Sequence, residues 1–169
     1  MDKKNDIIGV ALNSFYTGNK QDKLHVLSEV MEVDEIPLEY FFRDFSAMHE
    51  SEQLALKNCK GKVLDIGAGA GSHTLWIQQN GFDVNALDVS PGCIELMKER
   101  GVKRTTCSEI LNYNKNKFDT LLLLMNGIGI GGTIERMPFF LDHLKQLLLP
   151  GGQVIFDSSD LKYLYTEED

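Results

Sequence analysis

The sequence predicts an α/β fold on a doubly wound, mostly parallel sheet, preceded by a helical extension. Two observations carry that prediction. From Lys62 onward, short β-branched or apolar runs alternate with longer stretches of helical periodicity, the pattern of βαβ units. The first run, KVLDI, breaks into GAGAG, and the next ends in an isolated acid, Asp88. A chain of 169 residues, 43% hydrophobic and 25% charged, holds one such domain with a real core and no second one.

In order along the chain, residues 1–60 are expected to form a helical cap and residues 61–169 the core of the same domain. Pro37 to Phe42 looks like an aromatic-rich helix start, and residues 46–58 have helical composition ending before Gly61. Strands are expected at about 62–66, 82–88, 102–106, 118–125 and 152–157. FDTLLLLM is the clearest buried central strand. Ser90 and Pro91 supply an N-cap and a proline at the first helical position, Ile94 and Met97 share a face, and Gly101 follows the end. Near Pro138 a last helix begins, with Phe140, Leu141, Leu144, Leu147 and Leu148 as its inward stripe and Leu149-Pro150-Gly151-Gly152 as its stop. Trp76, beside Leu75 on an apolar face, is expected in the core.

Charge and cysteine usage bound the partners. The net charge is −8 and the basic residues are scattered, so a grip on nucleic-acid phosphates is not expected. A small-molecule or protein partner is. Cys59, Cys93 and Cys107 lie far apart without metal-ligand spacing, which suggests buried thiols, no metal and a reducing cytoplasm. The apolar runs at residues 7–12 and 121–125 are too short for a signal or a bilayer span, so no membrane partner is expected.

In an open α/β sheet the ligand sits beyond the carboxyl ends of the strands. Gly67, Gly69 and Gly71 fall there, in the turn leading into a helix that begins near Ser72. Their missing side chains let a ligand approach the backbone amides, and the helix N-terminus favours an anionic group. Asp88, at the neighbouring tip, is placed to accept hydrogen bonds from both hydroxyls of a ribose. The pattern is GxGxG, with Ser72 where a dinucleotide fingerprint carries its third small residue, and Asp65 inside the strand suits an amine on the ligand.

The stretch from Val63 to Gly71, VLDIGAGAG, resembles the first motif of the class I S-adenosylmethionine-dependent methyltransferases, and LDVSP at 87–91 is similar to their second-strand motif. Phe118-Asp119 and LLLPGGQVIFD extend the resemblance over about 60–157. It implies S-adenosylmethionine as cofactor, with Asp65 beneath its methionine part and Gly67, Ala68, Gly69 and Gly71 close by. It also implies that Asp88 holds the ribose, that Val89 touches the adenine, and that the loop from Cys107 to Ile110 flanks it, with Ser108 or Glu109 at the adenine amine. Asn126, at the tip of the fourth strand, stands where amine-methylating relatives carry an Asn or Asp before two prolines. Here Gly127 follows, which removes the support for an amine or nucleic-base substrate, so the acceptor stays unnamed.

The resemblance further implies a helix and two antiparallel strands after the fifth strand, for which residues 158–169 leave no room. An exposed edge at residues 153–156 is therefore expected, and with it either a longer protein or a homodimer through that edge.

Catalytic candidates are Asn126 and His73; the alternative for His73, and the one its position favours, is a solvated polar residue of a first helical turn. His49, Glu50, Tyr16 and Arg43 belong to segments that can close over the pocket, or to surface and packing positions. Residues 127–132, glycine at alternate positions, suit a mobile pocket floor or a plain connection. Two other functions share the fold: a non-catalytic cofactor-binding module, and a nicotinamide-dependent oxidoreductase, which Ser72 and Asp65 disfavour.

Overall fold

The computed structural model describes residues 5–20, 23–26 and 34–159. Asp6 starts the first helix by accepting from the N–H of Gly9 at 3.0 Å, and α1 runs Ile7–Tyr16. Lys23–Val26 (β1) and Asp34–Pro37 (β2) then pair antiparallel, with Leu24 opposite Ile36. The region expected to be helical thus contains a β ribbon, whose four-residue strands are too short to show a period. Two 3₁₀ segments, Leu38–Phe42 and Phe45–Ala47, lead into α2, Glu50–Lys57. There Glu52 reaches back to the N–H of His49 at 3.1 Å, closing a capping box.

Next come β3 (Lys62–Ile66), α3 (Ser72–Gln79), β4 (Asp83–Asp88), α4 (Pro91–Glu99) and β5 (Thr105–Cys107). They are followed by β6 (Phe118–Leu123), α5 (Met137–Gln146) and β7 (Leu148–Phe156). The sheet order is β5-β4-β3-β6-β7 and every pairing is parallel. The chain turns first to one side of β3 and then to the other, so a crevice opens at its carboxyl end.

Both faces of the sheet are covered, which is why its strands are near-continuous apolar runs. Leu64, Ile66, Leu121 and Leu123 pack on Phe140 and Leu144 of α5. On the opposite face Val63, Val84, Leu122 and Leu124 pack on Ala55 and Leu56 of α2 and Ile77 of α3. Helix α1 lies against α4 through Leu12, Phe15, Cys93 and Leu96, crossing so closely at Gly9 and Gly92 that a Cβ on Gly92 would sit 2.8 Å from the Gly9 Cα.

Several expectations need correcting. The third strand is shorter than expected, because Val102 is buried with Ala68, Ile94 and Met97 instead of pairing. β7 begins at Leu148, four residues early, and takes in Pro150 and Gly151. The β6 register shift between Phe118 and Thr120 accommodates them, and an edge strand tolerates the missing proline N–H. Leu148 therefore belongs to the sheet, and Leu141 is 43% exposed. Cys59 and Cys93 are buried, but Cys107 ends β5 in solvent. Trp76 is half-buried, stacked on Phe45 at 4.7 Å.

Among the described residues β7 has no strand on its outer side, and no helix is long and apolar enough to cross a membrane.

Candidate functional site

The carboxyl ends of β3 and β4 are joined through backbone amides. The N–H groups of Gly67 and Ala68 both donate to the Leu87 carbonyl, at 2.8 and 3.2 Å. Asp88 receives the Gly69 N–H on Oδ2 at 2.8 Å and the Ser90 N–H on Oδ1 at 2.9 Å. Burial pushes this carboxyl above its ordinary pKa, against those N–H bonds. Each oxygen still has a lone pair to offer. Asp65 is 2% exposed and accepts from the Thr74 hydroxyl; burial raises its pKa too, with His73 and Thr74 opposing.

The glycines divide by what lies above them. A Cβ on Gly69 (φ +55°) meets nothing within 4 Å, so that residue faces open space. A Cβ on Gly71 (φ +82°) would instead lie 2.8 Å from Met97 Cγ. Gly71 is therefore a packing position for α3 against α4, and it does not line the cavity over the loop.

That cavity, about 420 Å³, has Gly67, Ala68 and Gly69 as floor and Asp65, Asp88 and Val89 along its rim. Its other wall comes from Ile8, Tyr40, Arg43, Met48, Asn126 and Ile130. Asp6 also reaches it, accepting from the Ser90 hydroxyl and the Gly92 N–H, each at 2.8 Å. Burial alone would raise the Asp6 pKa, but these donors and the Gly9 N–H bring it below the ordinary carboxylate value. Neither Asp6 nor Ile8 is evident from motif spacing; the signal available was an N-cap acid before an apolar run. Ser108 and Glu109 do not line this cavity. The Ser108 N–H donates to the Asp88 carbonyl at 2.9 Å, its hydroxyl to the Glu109 carbonyl, and Glu109 is exposed.

A second cavity, about 570 Å³, adjoins the first and shares Ile36, Tyr40, Met125 and Asn126 with it. Among the described residues its lining includes Glu35, Glu52, Asp157, Ser51 and Ser159, with His49, and no lysine or arginine.

Between the two stands a buried ion cluster. Arg43 donates to both oxygens of Glu52 at 3.0 Å, and His73 Nε2 lies 2.8 Å from Glu52 Oε2. His73 is buried by this contact, contrary to a solvated first-turn residue. The Arg43 guanidinium also lies 3.2 Å over the Tyr40 ring. Of the remaining candidates, Tyr16 is exposed and stacks on Phe42, and Glu50 is exposed. His25 sits on the ribbon, and His143 Nε2 lies 2.8 Å from the Ile110 carbonyl.

Comparison with known proteins agrees with this geometry. The model of the methyltransferase domain family matches residues 40–168. A SAM-dependent methyltransferase from Bacteroides fragilis, solved in complex with S-adenosyl-L-homocysteine, is 43% identical with a TM-score of 0.93, over 99% of this chain and 70% of its own. An amino pentose methyltransferase from Micromonospora echinaspora (21% identity, TM-score 0.54, 66% of this chain and 52% of its own) shares the fold. So does a sugar N-methyltransferase from Streptoalloteichus (16%, 0.57, 79% and 59%). No curated protein matches. With the glycine loop, the acid at the second strand tip and a 43% identical relative in agreement, the chain belongs to the S-adenosylmethionine-dependent methyltransferases.

Proposed function

We propose that the protein transfers the methyl group of S-adenosylmethionine, held over Gly67–Gly69, to a small neutral or cationic acceptor in the adjoining 570 Å³ cavity. The observation that carries this reading is the wall the two cavities share. Ile36, Tyr40, Met125 and Asn126 line both, so a donor on one side and an acceptor on the other meet at that wall.

The residues present fit the cofactor. The open space above Gly69 is the room a ligand needs, and 420 Å³ falls in the usual range for small-molecule sites. Asp88 would accept from the ribose hydroxyls on its remaining lone pairs. Val89 and Ile8 offer apolar surface to the adenine, and Asp65 lies toward the amine of the methionine part. Ser108 and Glu109 receive no role.

When bound, the cofactor supplies an activated methyl group, so the chain's own task is orientation and exclusion of water. Tyr40, Met48 and Ile130 cover the cavity from above the loop. Glu52 holds Arg43 and His73 at the cavity wall through its two oxygens. His73 is thereby held at the wall of the cofactor cavity with its Nε2 on Glu52.

Among the described residues the lining carries Glu35, paired with Lys23, Glu52, paired with Arg43, and Asp157, and no lysine or arginine; together with the net charge of −8 this disfavours an anionic acceptor. Incubation with labelled S-adenosylmethionine and a panel of amines, alcohols and carboxylates tests this. Label is expected in amines or alcohols; label confined to carboxylates or to a protein fraction would overturn the acceptor assignment.

A further inference from the structure

The wall between the two cavities is strained. Met125 (φ +59°) and Asn126 (φ +61°) are consecutive non-glycine residues in the left-handed region, the only such residues among those described. That conformation is disfavoured for a non-glycine side chain, for methionine more than for asparagine, and two in succession persist only where surroundings impose them. The imposing group is visible. Asp157, just beyond β7, receives the Met125 N–H on one carboxylate oxygen at 3.0 Å and the Asn126 N–H on the other at 2.7 Å. Both residues directly follow the buried Leu121–Leu124 run and line both cavities. The side chain of Asn126 is tied to the same segment, since the Ser159 hydroxyl donates to its Oδ1 at 2.9 Å. Its amide nitrogen has no protein acceptor among the described residues.

We propose that Asp157 is the positioning residue of the methyl-transfer site. It clamps Met125 and Asn126 in the left-handed turn that separates donor from acceptor and presents the Asn126 amide N–H groups to whatever crosses that wall. The inference rests on the assignment of the two cavities above. A single carboxylate accepting two consecutive N–H groups is suited to this: its charge stabilises both amides at once, and its two oxygens match the spacing of adjacent N–H groups in a left-handed turn. The ligand side is left with N–H donors from Asn126, which suit a hydroxyl, carbonyl or carboxylate oxygen on the cofactor or a lone pair on the acceptor. The positions of Asp157 and Ser159, after the last strand, explain why the turn is not encoded near residue 125.

The test uses the full chain and S-adenosylhomocysteine as probe, with calorimetric affinity and amide hydrogen exchange at residues 125 and 126 as readouts. Asp157→Ala is expected to weaken binding about tenfold, the equivalent of 1.4 kcal/mol, and to speed exchange at both amides. Asp157→Asn, with one acceptor oxygen in place of two, should fall between, and serves if the alanine variant does not fold. Because glycine adopts a positive φ freely, adding Met125→Gly to Asp157→Ala should recover part of the lost affinity, about threefold, whereas a residue that merely closed β7 onto β6 would show no such rescue. Asp88→Ala, carried in parallel, separates the two levels of the reading. If it leaves affinity unchanged, the cavity assignment itself is wrong. If Asp88→Ala weakens binding while Asp157→Ala alters neither affinity nor exchange, or glycine fails to rescue, the clamp is overturned and the cavities stand.

Discussion

The floor of the 420 Å³ cavity comes from residues 65–90, within one βαβ unit, whereas its opposite wall and the adjoining 570 Å³ cavity draw on described residues between Asp6 and Glu52, on the segment from Leu124 to Ile130 and on residues 157–159. On the floor the working groups are backbone amides, two strand-end carboxylates and the absence of side chains. Their places follow from where β3 and β4 stop. On the far side they are side chains brought together over long stretches of chain: Asp6 to Ser90, Arg43 to Glu52 to His73, Asp157 to Asn126. A floor built from local turn geometry suits a ligand the whole family shares, while a wall assembled from distant segments can vary without disturbing it. Fold and cofactor are therefore legible together, and the acceptor is not.

That contrast can be broken at the floor first. Gly69→Val is expected to lower S-adenosylhomocysteine affinity about a hundredfold or more, because the side chain would fill the open space above the loop and valine resists a positive φ. Circular dichroism should show the fold retained. Calorimetric binding at the unaltered level would mean that the ligand lies elsewhere.

On the opposite wall the main loss should be in stability. Glu52→Ala leaves Arg43 and His73 with their buried partner gone, a change of about 3 kcal/mol by urea unfolding at neutral pH. The same carboxyl carries a pH signature. Burial would raise its pKa, but the His73 contact, the His49 N–H and Arg43 together hold it below its ordinary value of 4.5. A depressed carboxylate contributes stability above that value and loses it as pH falls below. Urea midpoints of the wild type should therefore drop between about pH 5 and about pH 3 more steeply than those of Glu52→Gln. Parallel pH profiles would show that Glu52 is not the group responsible.

A smaller effect separates the two kinds of glycine. Gly71→Ala should destabilise the fold by about 1 to 2 kcal/mol, through its positive φ and the contact with Met97, yet leave S-adenosylhomocysteine affinity within about twofold. Equal damage to binding would put Gly71 back in the cavity. Least affected should be Glu109→Ala, whose exposed side chain makes no cavity contact: a change in affinity beyond about 0.5 kcal/mol would return it to the adenine site.

Particular residues mark how far the sequence could be followed. Ser90-Pro91 and the helix to Gly101 form as expected because an N-cap and a proline act within one turn: Ser90 Oγ receives the Cys93 N–H at 2.9 Å. Leu148 was misplaced because an apolar residue after a helix suits another helical turn or a strand equally well, and only pairing with Phe118 decides between them. His73 was ambiguous for a similar reason. A polar residue in a first turn is solvated unless another segment brings it a partner, and Glu52 lies 21 residues away.

By itself the sequence determined the parallel βαβ core, the glycine loop and the acid at the second strand tip, since turn chemistry, capping and alternation of apolar runs are short-range and survive as patterns. Only the tertiary structure decided that the N-terminal segments wall two adjoining cavities, that Gly71 serves packing, and that Asp157 holds Met125 and Asn126 in strained geometry. Those outcomes depend on hydrogen bonds and ion pairs between residues tens of positions apart, and no local period records which distant carboxylate a given amide or guanidinium will meet.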